Sequence, residues 1–138
     1  MVLDTSALLA ILLGEPEAAP CAQAISAAPR CLLSAVSALE TSLVIEARKG
    51  EAGGRELDLL LHRARIDIVP FTPDHYELAR TAWRRFGKGR HPAGLNLGDC
   101  CTYALARHAG EPLLCKGDDF ARTDLPLVTL AGSGAAAT

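Results

Sequence analysis

Aromatic side chains are scarce in this chain. Three Phe, two Tyr and one Trp make up 4% of its 138 residues. So few rings cannot furnish the stacked platform on which proteins lay out single-stranded bases. The five cysteines, at 21, 31, 100, 101 and 115, form no C-x-x-C or C-x-x-H spacing, which removes the usual zinc frameworks. Their odd number suits small apolar residues in a reducing cytoplasm. No apolar run reaches membrane-spanning length. The run Ala7 to Leu13 resembles a signal-peptide core but lacks a basic lead-in and follows Asp4. A soluble, cytoplasmic protein is expected. Charge of one sign is also missing. Fourteen Lys and Arg against sixteen Asp and Glu give a net charge of −2, unlike a general nucleic-acid binder. No Ser or Cys pairs recognisably with His62, His75, His91 or His108, so nothing suggests a covalent route.

What is present is alanine, leucine and short apolar runs, 49% hydrophobic against 22% charged. That is ordinary for one globular domain, which at this length buries roughly 70% of its unfolded surface. Val2-Leu3 reads as a strand ending at Asp4, with Thr5 and Ser6 capping a helix to Leu13. Glu15-Pro16-Glu17 opens a second helix with Ala18, Cys21, Ala22, Ile25 and Ala28 as its stripe. Cys31-Leu32-Leu33 is a strand. Ser34 caps a helix whose apolar stripe is Val36, Leu39, Leu43, Val44 and Ala47, stopping at Arg48-Lys49-Gly50. A further helix spans residues 55–64, and Ile66 to Val69 is a strand. Pro73 starts a helix with Tyr76, Ala79, Trp83 and Phe86 on one face, and His75 is read as a surface residue. Asn96 caps a helix with Asp99 three residues on, and Cys100, Cys101, Ala104, Leu105 and His108 on its apolar face. Leu113-Leu114-Cys115 and Pro126 to Leu130 are the last strands, the proline placing the final one at an edge. Residues 131–138 are expected to be a flexible tail after a domain of residues 1–130.

Short apolar strands separated by helices predict an α/β fold: three layers, α/β/α, around a mainly parallel sheet of about five strands. Right-handed crossovers bring all the carboxyl ends of the strands to one edge. Asp4, Glu40, Asp99 and one of Asp118 and Asp119 then share that edge. Each acid has a plainer role available, as a turn residue, a helix-dipole acid or a solvated side chain. Together they repel one another unless a proton or a cation intervenes. A hard divalent cation such as Mg²⁺, which takes oxygen ligands, resolves the conflict.

The segments Val2-Leu3-Asp4-Thr5-Ser6-Ala7-Leu8, Ser34 to Glu40, Leu95-Asn96-Leu97-Gly98-Asp99-Cys100 and Leu113 to Phe120 resemble the PIN-domain ribonucleases. The closer likeness is to the VapC toxins of bacterial toxin–antitoxin pairs. It spans residues 1–130 in order. The resemblance implies an endoribonuclease dependent on Mg²⁺ or Mn²⁺. Asp4 and Asp99 would bind the metal and Glu40 would hold the metal or its water. Asp119, beside Phe120, matches the fourth acid, with Asp118 in reserve. Thr5 or Ser6 would orient a water. A cation there inverts the sign of an acidic pocket that would otherwise repel a phosphodiester. The resemblance also implies a homodimer and a VapB-type antitoxin that places an arginine among the acids, where it can satisfy two carboxylates. Transfer or ribosomal RNA is the expected substrate. The basic run Arg84, Arg85, Lys88, Arg90 and His91, leading into the Asp99 helix, is a candidate grip for RNA phosphates. Two other classes compete: another metal-dependent phosphoryl-transfer enzyme on the same topology, and a non-catalytic α/β binding module. Asp4-Thr5-Ser6 lacks a D-x-D pair, and Val69-Pro70-Phe71 offers no phospho-acceptor.

Overall fold

A computed structural model describes residues 1–131 of the chain. Four parallel strands stand in the order β3-β2-β1-β4: β1 is Val2–Leu3, β2 Cys31–Ser34, β3 Ile66–Val69 and β4 Leu113–Leu114. Neighbouring residues in a strand point to opposite faces, and here both faces are covered. Val2, Leu32 and Leu113 enter one core with Ala79, Ala82, Phe86, Ala104 and Leu105. Leu3, Leu33 and Leu114 enter the other, with Ala7, Leu8, Cys21 and Ile25. The three layers are therefore present as the apolar strands imply.

The helices are α1 (Thr5–Leu12), α2 (Ala18–Ala27), α3 (Ala35–Arg63), α4 (Pro73–Phe86) and α5 (Leu97–Ala109). A 3₁₀ turn, Phe120–Arg122, follows β4. The expected fifth strand is reduced to a parallel bridge between Leu113 and Leu127. Pro126 has no N–H for a ladder, and two bonds, Leu113 N–H to the Pro126 carbonyl and Val128 N–H to the Leu113 carbonyl, hold the segment. The tail expected at 131–138 lies, apart from Ala131, outside the described residues.

Several local expectations are corrected. Asp4, not Thr5 or Ser6, caps α1, accepting the Ser6 N–H. Between Ser34 and Ala64 the two helices expected do form, meeting at a kink at Gly50, whose φ of 66° and ψ of −160° are not helical, and α3 spans both. Its buried face is Ser37, Thr41, Ile45, Gly53 and Leu57, while Leu39 and Leu43 are 59% and 62% exposed. In α4 the inward residues are His75, Ala79, Ala82 and Phe86, and Tyr76 and Trp83 face outward. His75 is buried, its ring edge-on to His108 with centroids 4.8 Å apart. His108 itself is exposed, past the last buried turn of α5. Asn96 and Asp99 form the reciprocal cap expected of them, and Gly110 ends α5 at φ 65°.

Candidate active site

The site begins with a strand too short to go further. After Leu3 the chain turns straight into α1, so Asp4 stands at the carboxyl edge of the central strand, 5% exposed. Its Oδ2 accepts the Ser6 N–H at 3.0 Å and the Ser6 hydroxyl at 2.6 Å. Its Oδ1 accepts the Thr102 hydroxyl at 3.0 Å. The Ser6 hydroxyl also accepts the Lys116 N–H at 2.9 Å, which ties the start of α1 to the loop after β4. Lys116 Nζ in turn lies 2.6 Å from Glu15 and 3.5 Å from Glu17. Thr5 donates to the Ser37 carbonyl at 3.3 Å. Both hydroxyls thus give their protons to protein partners.

Asp99 comes from the first turn of α5. The capping box turns its Oδ2 back onto the Asn96 N–H at 3.1 Å. Burial pushes its carboxyl up to about 6, helped by the nearby charges of Asp4, Asp119 and Glu40, while the bond from Asn96 pulls the other way. These four acids therefore sense one another across β1, α3, α5 and the loop after β4. Of the two loop acids it is Asp119, rather than Asp118, whose charge acts on Asp99 and on the Cys115 thiol. Asp119 makes no side-chain cap bond to the 3₁₀ turn it precedes, so its carboxylate is not consumed locally.

Glu40 reaches the group because residue 98 is glycine. A Cβ at Gly98 would collide with the Glu40 carboxylate, whose Cδ would lie only 2.8 Å away. The glycine of the Asn-x-Gly-Asp segment therefore clears room for an acid from another helix. Cys115 stands beside the acids. Burial first, then Asp4, Cys21, Asp99 and Asp119, push its thiol up to about 12. It stays protonated and is no nucleophile at neutral pH.

The acids offer oxygen donors only, as a hard divalent cation prefers. Among the described residues no three His, Cys, Asp or Glu side chains are drawn together tightly enough to enclose an ion. Asp99 is raised by burial first and then by the charges of Asp4, Asp119 and Glu40, and a bound cation would offset both.

The basic segment divides in two. Arg85 pairs with Asp124 at 3.2 Å, and the Arg90 guanidinium lies 4.0 Å over the Trp83 ring. His91 accepts the Ala93 N–H through Nδ1, so it is held by its own loop. Arg84 and Lys88 are exposed and have no ion-pair partner among the described residues. Bonds between Phe86 and Leu95 and between Lys88 and Leu95 close the loop and deliver the chain to Asn96. Two surface grooves are large, and the second adjoins the Asp99 cap, with Lys88, Asn96 and Cys100 in its lining. One, about 710 Å³, is lined by Ile11, Ile25, Leu59 and Leu60 among others. The other, about 540 Å³, includes Val36, Phe71, Tyr76, Trp83 and Leu97. Neither includes any of the acids.

Thr102 and Ser37 escaped the sequence reading, which saw both helices as carriers of apolar stripes. The available signal was spacing: Thr102 is three residues after Asp99, hence on the same face of α5.

The PIN domain family matches residues 1–125. The chain is 56% identical over 130 residues to "VapC ribonuclease Mb0640" of Mycobacterium bovis, covering 94% of this chain and 99% of that one. It is 55% identical over 128 residues to "Ribonuclease VapC" of Mycolicibacterium smegmatis, covering 93% and 99%. Among solved structures, Mycobacterium tuberculosis VapC20, a sarcin-ricin loop cleaving toxin, superimposes with a TM-score of 0.76 at 18% identity over 92% of this chain and 97% of its own. A toxin-antitoxin complex from Klebsiella pneumoniae gives a TM-score of 0.70 at 19% identity, over 93% and 95%. At such identities these two speak for the fold.

Proposed function

This chain belongs to the PIN-domain family and to the VapC ribonucleases within it, and we propose that it is the endoribonuclease toxin of a toxin–antitoxin pair. The reading is of a single nuclease domain, residues 1–130, that hydrolyses phosphodiester bonds of transfer or ribosomal RNA in the cytoplasm with Mg²⁺ or Mn²⁺. No helix among the described residues is long and apolar enough to cross a membrane. The observation that carries the reading is the convergence of Asp4, Glu40 and Asp119 on Asp99 in a chain whose residues 1–125 match the family.

Each residue has a task. Asp4 and Asp99 hold the cation, Glu40 holds it or its water, and Asp119 completes the negative field, with Asp118 behind it. The cation, when bound, supplies Lewis acidity toward a phosphate oxygen and lowers the pKa of water. The protein's own contribution is placement. Ser6 and Thr102 fix the Asp4 carboxylate, the Asn96 cap fixes Asp99, and Gly98 admits Glu40. Arg84, Lys88 and Arg90 grip RNA phosphates beside the site, while Arg85 is partly committed to Asp124.

A VapB-type antitoxin would silence the enzyme by setting an arginine among the same acids, a bidentate match for two carboxylates. Exposed Leu39 and Leu43, with Tyr76 and Trp83 on the neighbouring helix, supply an apolar face for a homodimer. A patch of this kind on a soluble chain marks a contact surface.

The test is cleavage of transfer and ribosomal RNA by purified protein with Mg²⁺ or Mn²⁺, with EDTA, and with Asp99→Asn. Metal-dependent cutting absent from both controls is expected. Intact RNA in every lane, together with no metal binding by calorimetry, would return the chain to the non-catalytic class.

A further inference from the structure

The Asp4 carboxylate is held on both of its oxygens. Three donors reach its carboxylate: the N–H and hydroxyl of Ser6 on Oδ2, and the hydroxyl of Thr102 on Oδ1. Thr102 is 1% exposed and has one proton to give. Since that proton goes to Asp4, the Ser37 hydroxyl, 3.0 Å from Thr102 Oγ1, must donate to Thr102. Ser37 is fully buried, and its carbonyl is held in turn by the Thr41 hydroxyl at 2.7 Å and the Thr5 hydroxyl at 3.3 Å. A chain of hydroxyls thus runs from the interior of α3 through α5 to the edge of β1. Its donor and acceptor order is fixed at every link. Apolar side chains would fill these positions without any demand for partners. A hydroxyl chain with every member satisfied serves to specify one arrangement.

We propose that Thr102, backed by Ser37, is a positioning residue for the metal-binding carboxylate. A carboxylate offers about four acceptor positions. Three are occupied here, and the one left lies on Oδ1, the oxygen Thr102 holds. Thr102 sets the rotation of Asp4 and leaves a single direction for a cation. Because Thr102 and Asp99 sit one turn apart on α5, the same helix places one acid and orients the other. Without the hydroxyl the Asp4 carboxylate is free to turn about its bond to Cβ, and the neighbouring negative charges favour turning away. This proposal rests on the nuclease reading, and metal binding tests it separately from catalysis.

The experiment is Mn²⁺ titration by calorimetry on the full chain and on Thr102→Val, Thr102→Ser and Ser37→Ala, with Tm of each metal-free protein as the fold control. Thr102→Val keeps the shape and removes the hydroxyl. It is expected to weaken Mn²⁺ binding about ten-fold, the usual scale for a residue that orients a ligand. The Mn²⁺ needed for half-maximal cleavage should rise by the same factor, with KM for RNA unchanged. Thr102→Ser restores binding, and Ser37→Ala gives a smaller loss in the same direction. A folded Thr102→Val with unchanged Mn²⁺ affinity overturns the proposal. Should the valine variant fail to fold, Thr102→Ala, which leaves space rather than crowding it, carries the same comparison. Unmodified protein that binds Mn²⁺ yet cuts no RNA overturns the nuclease reading, while the variant affinities still decide the role of Thr102. Unmodified protein that binds no Mn²⁺ overturns both.

Discussion

Asp99 and Asp124 are two carboxylates in opposite company. Burial first, and then the charges of Asp4, Asp119 and Glu40, raise the Asp99 carboxyl to about 6. Burial also raises Asp124, but the Tyr103 hydroxyl at 2.7 Å and the cations Arg85 and Arg107 outweigh it and hold its carboxyl below the usual range. At Asp124 the fold supplies its own counter-charge and the group is finished. At Asp99 no cation is among the groups that act on it. The difference separates an acid the fold has paired from one it has not.

That contrast can be broken from either end. Asp99→Asn is expected to lower metal-dependent RNA cleavage by about 100-fold or more, measured as initial rates at saturating Mn²⁺, while the metal-free fold survives. Gly98→Ala leaves every acid in the chain but displaces Glu40, and should lower the rate by about 10- to 100-fold. Its Mn²⁺ affinity should fall less than that of Asp99→Asn. Asp124→Asn should do the reverse. It frees Arg85, Arg107 and Tyr103 and should destabilise the fold by about 1–2 kcal/mol in denaturant melts, with the cleavage rate per folded molecule unchanged. The smallest effect sharpens the same division among the cations. Lys88→Glu, at an unpaired position, should raise KM and reduce the salt dependence of RNA binding by about one counterion. Arg85→Glu, beside Asp124, should appear mainly as lost stability.

The layers and the parallel sheet could be read from Val2-Leu3, Leu32-Leu33, Ile66 to Val69 and Leu113-Leu114, because short, largely apolar strands between helices have few other solutions, while the order β3-β2-β1-β4 could not. The four acids were legible for the same reason: their positions after strands or at helix starts send them to one edge. What could not be read was which face of α3 turns inward. Periodicity marks Val36, Leu39 and Leu43 as the apolar stripe, yet Ser37, Thr41 and Ile45 are buried. Hydroxyls that satisfy one another inside the protein look polar in a sequence, and an exposed apolar stripe such as Leu39 and Leu43 looks like core. Tyr76 and Trp83 on α4 misled in the same way, being apolar yet exposed, and His75 misled because a titratable ring is here buried against the rings of Phe71 and His108. Thr5 and Ser6 were expected to cap α1, but the cap is supplied by Asp4 itself.

The most direct test of an acid edge awaiting a cation is the pH dependence of Tm for the full chain and Asp99→Asn, without metal and with Mn²⁺. Asp99 is raised in the folded state from 3.8 to about 6. The fold therefore binds its proton more tightly than the unfolded chain, and stability is lost as pH rises through that window. Taking the difference between the two proteins removes the opposing titration of buried His75, whose lowered pKa makes the fold less stable as pH falls. Without metal, Asp99→Asn is predicted to gain on the unmodified protein between pH 4 and pH 7 by on the order of 1 kcal/mol, after allowance for solvent screening. Mn²⁺ is predicted to raise the Tm of the unmodified protein at pH 7 and to narrow or reverse that gap. Parallel curves, unmoved by Mn²⁺, would contradict the account.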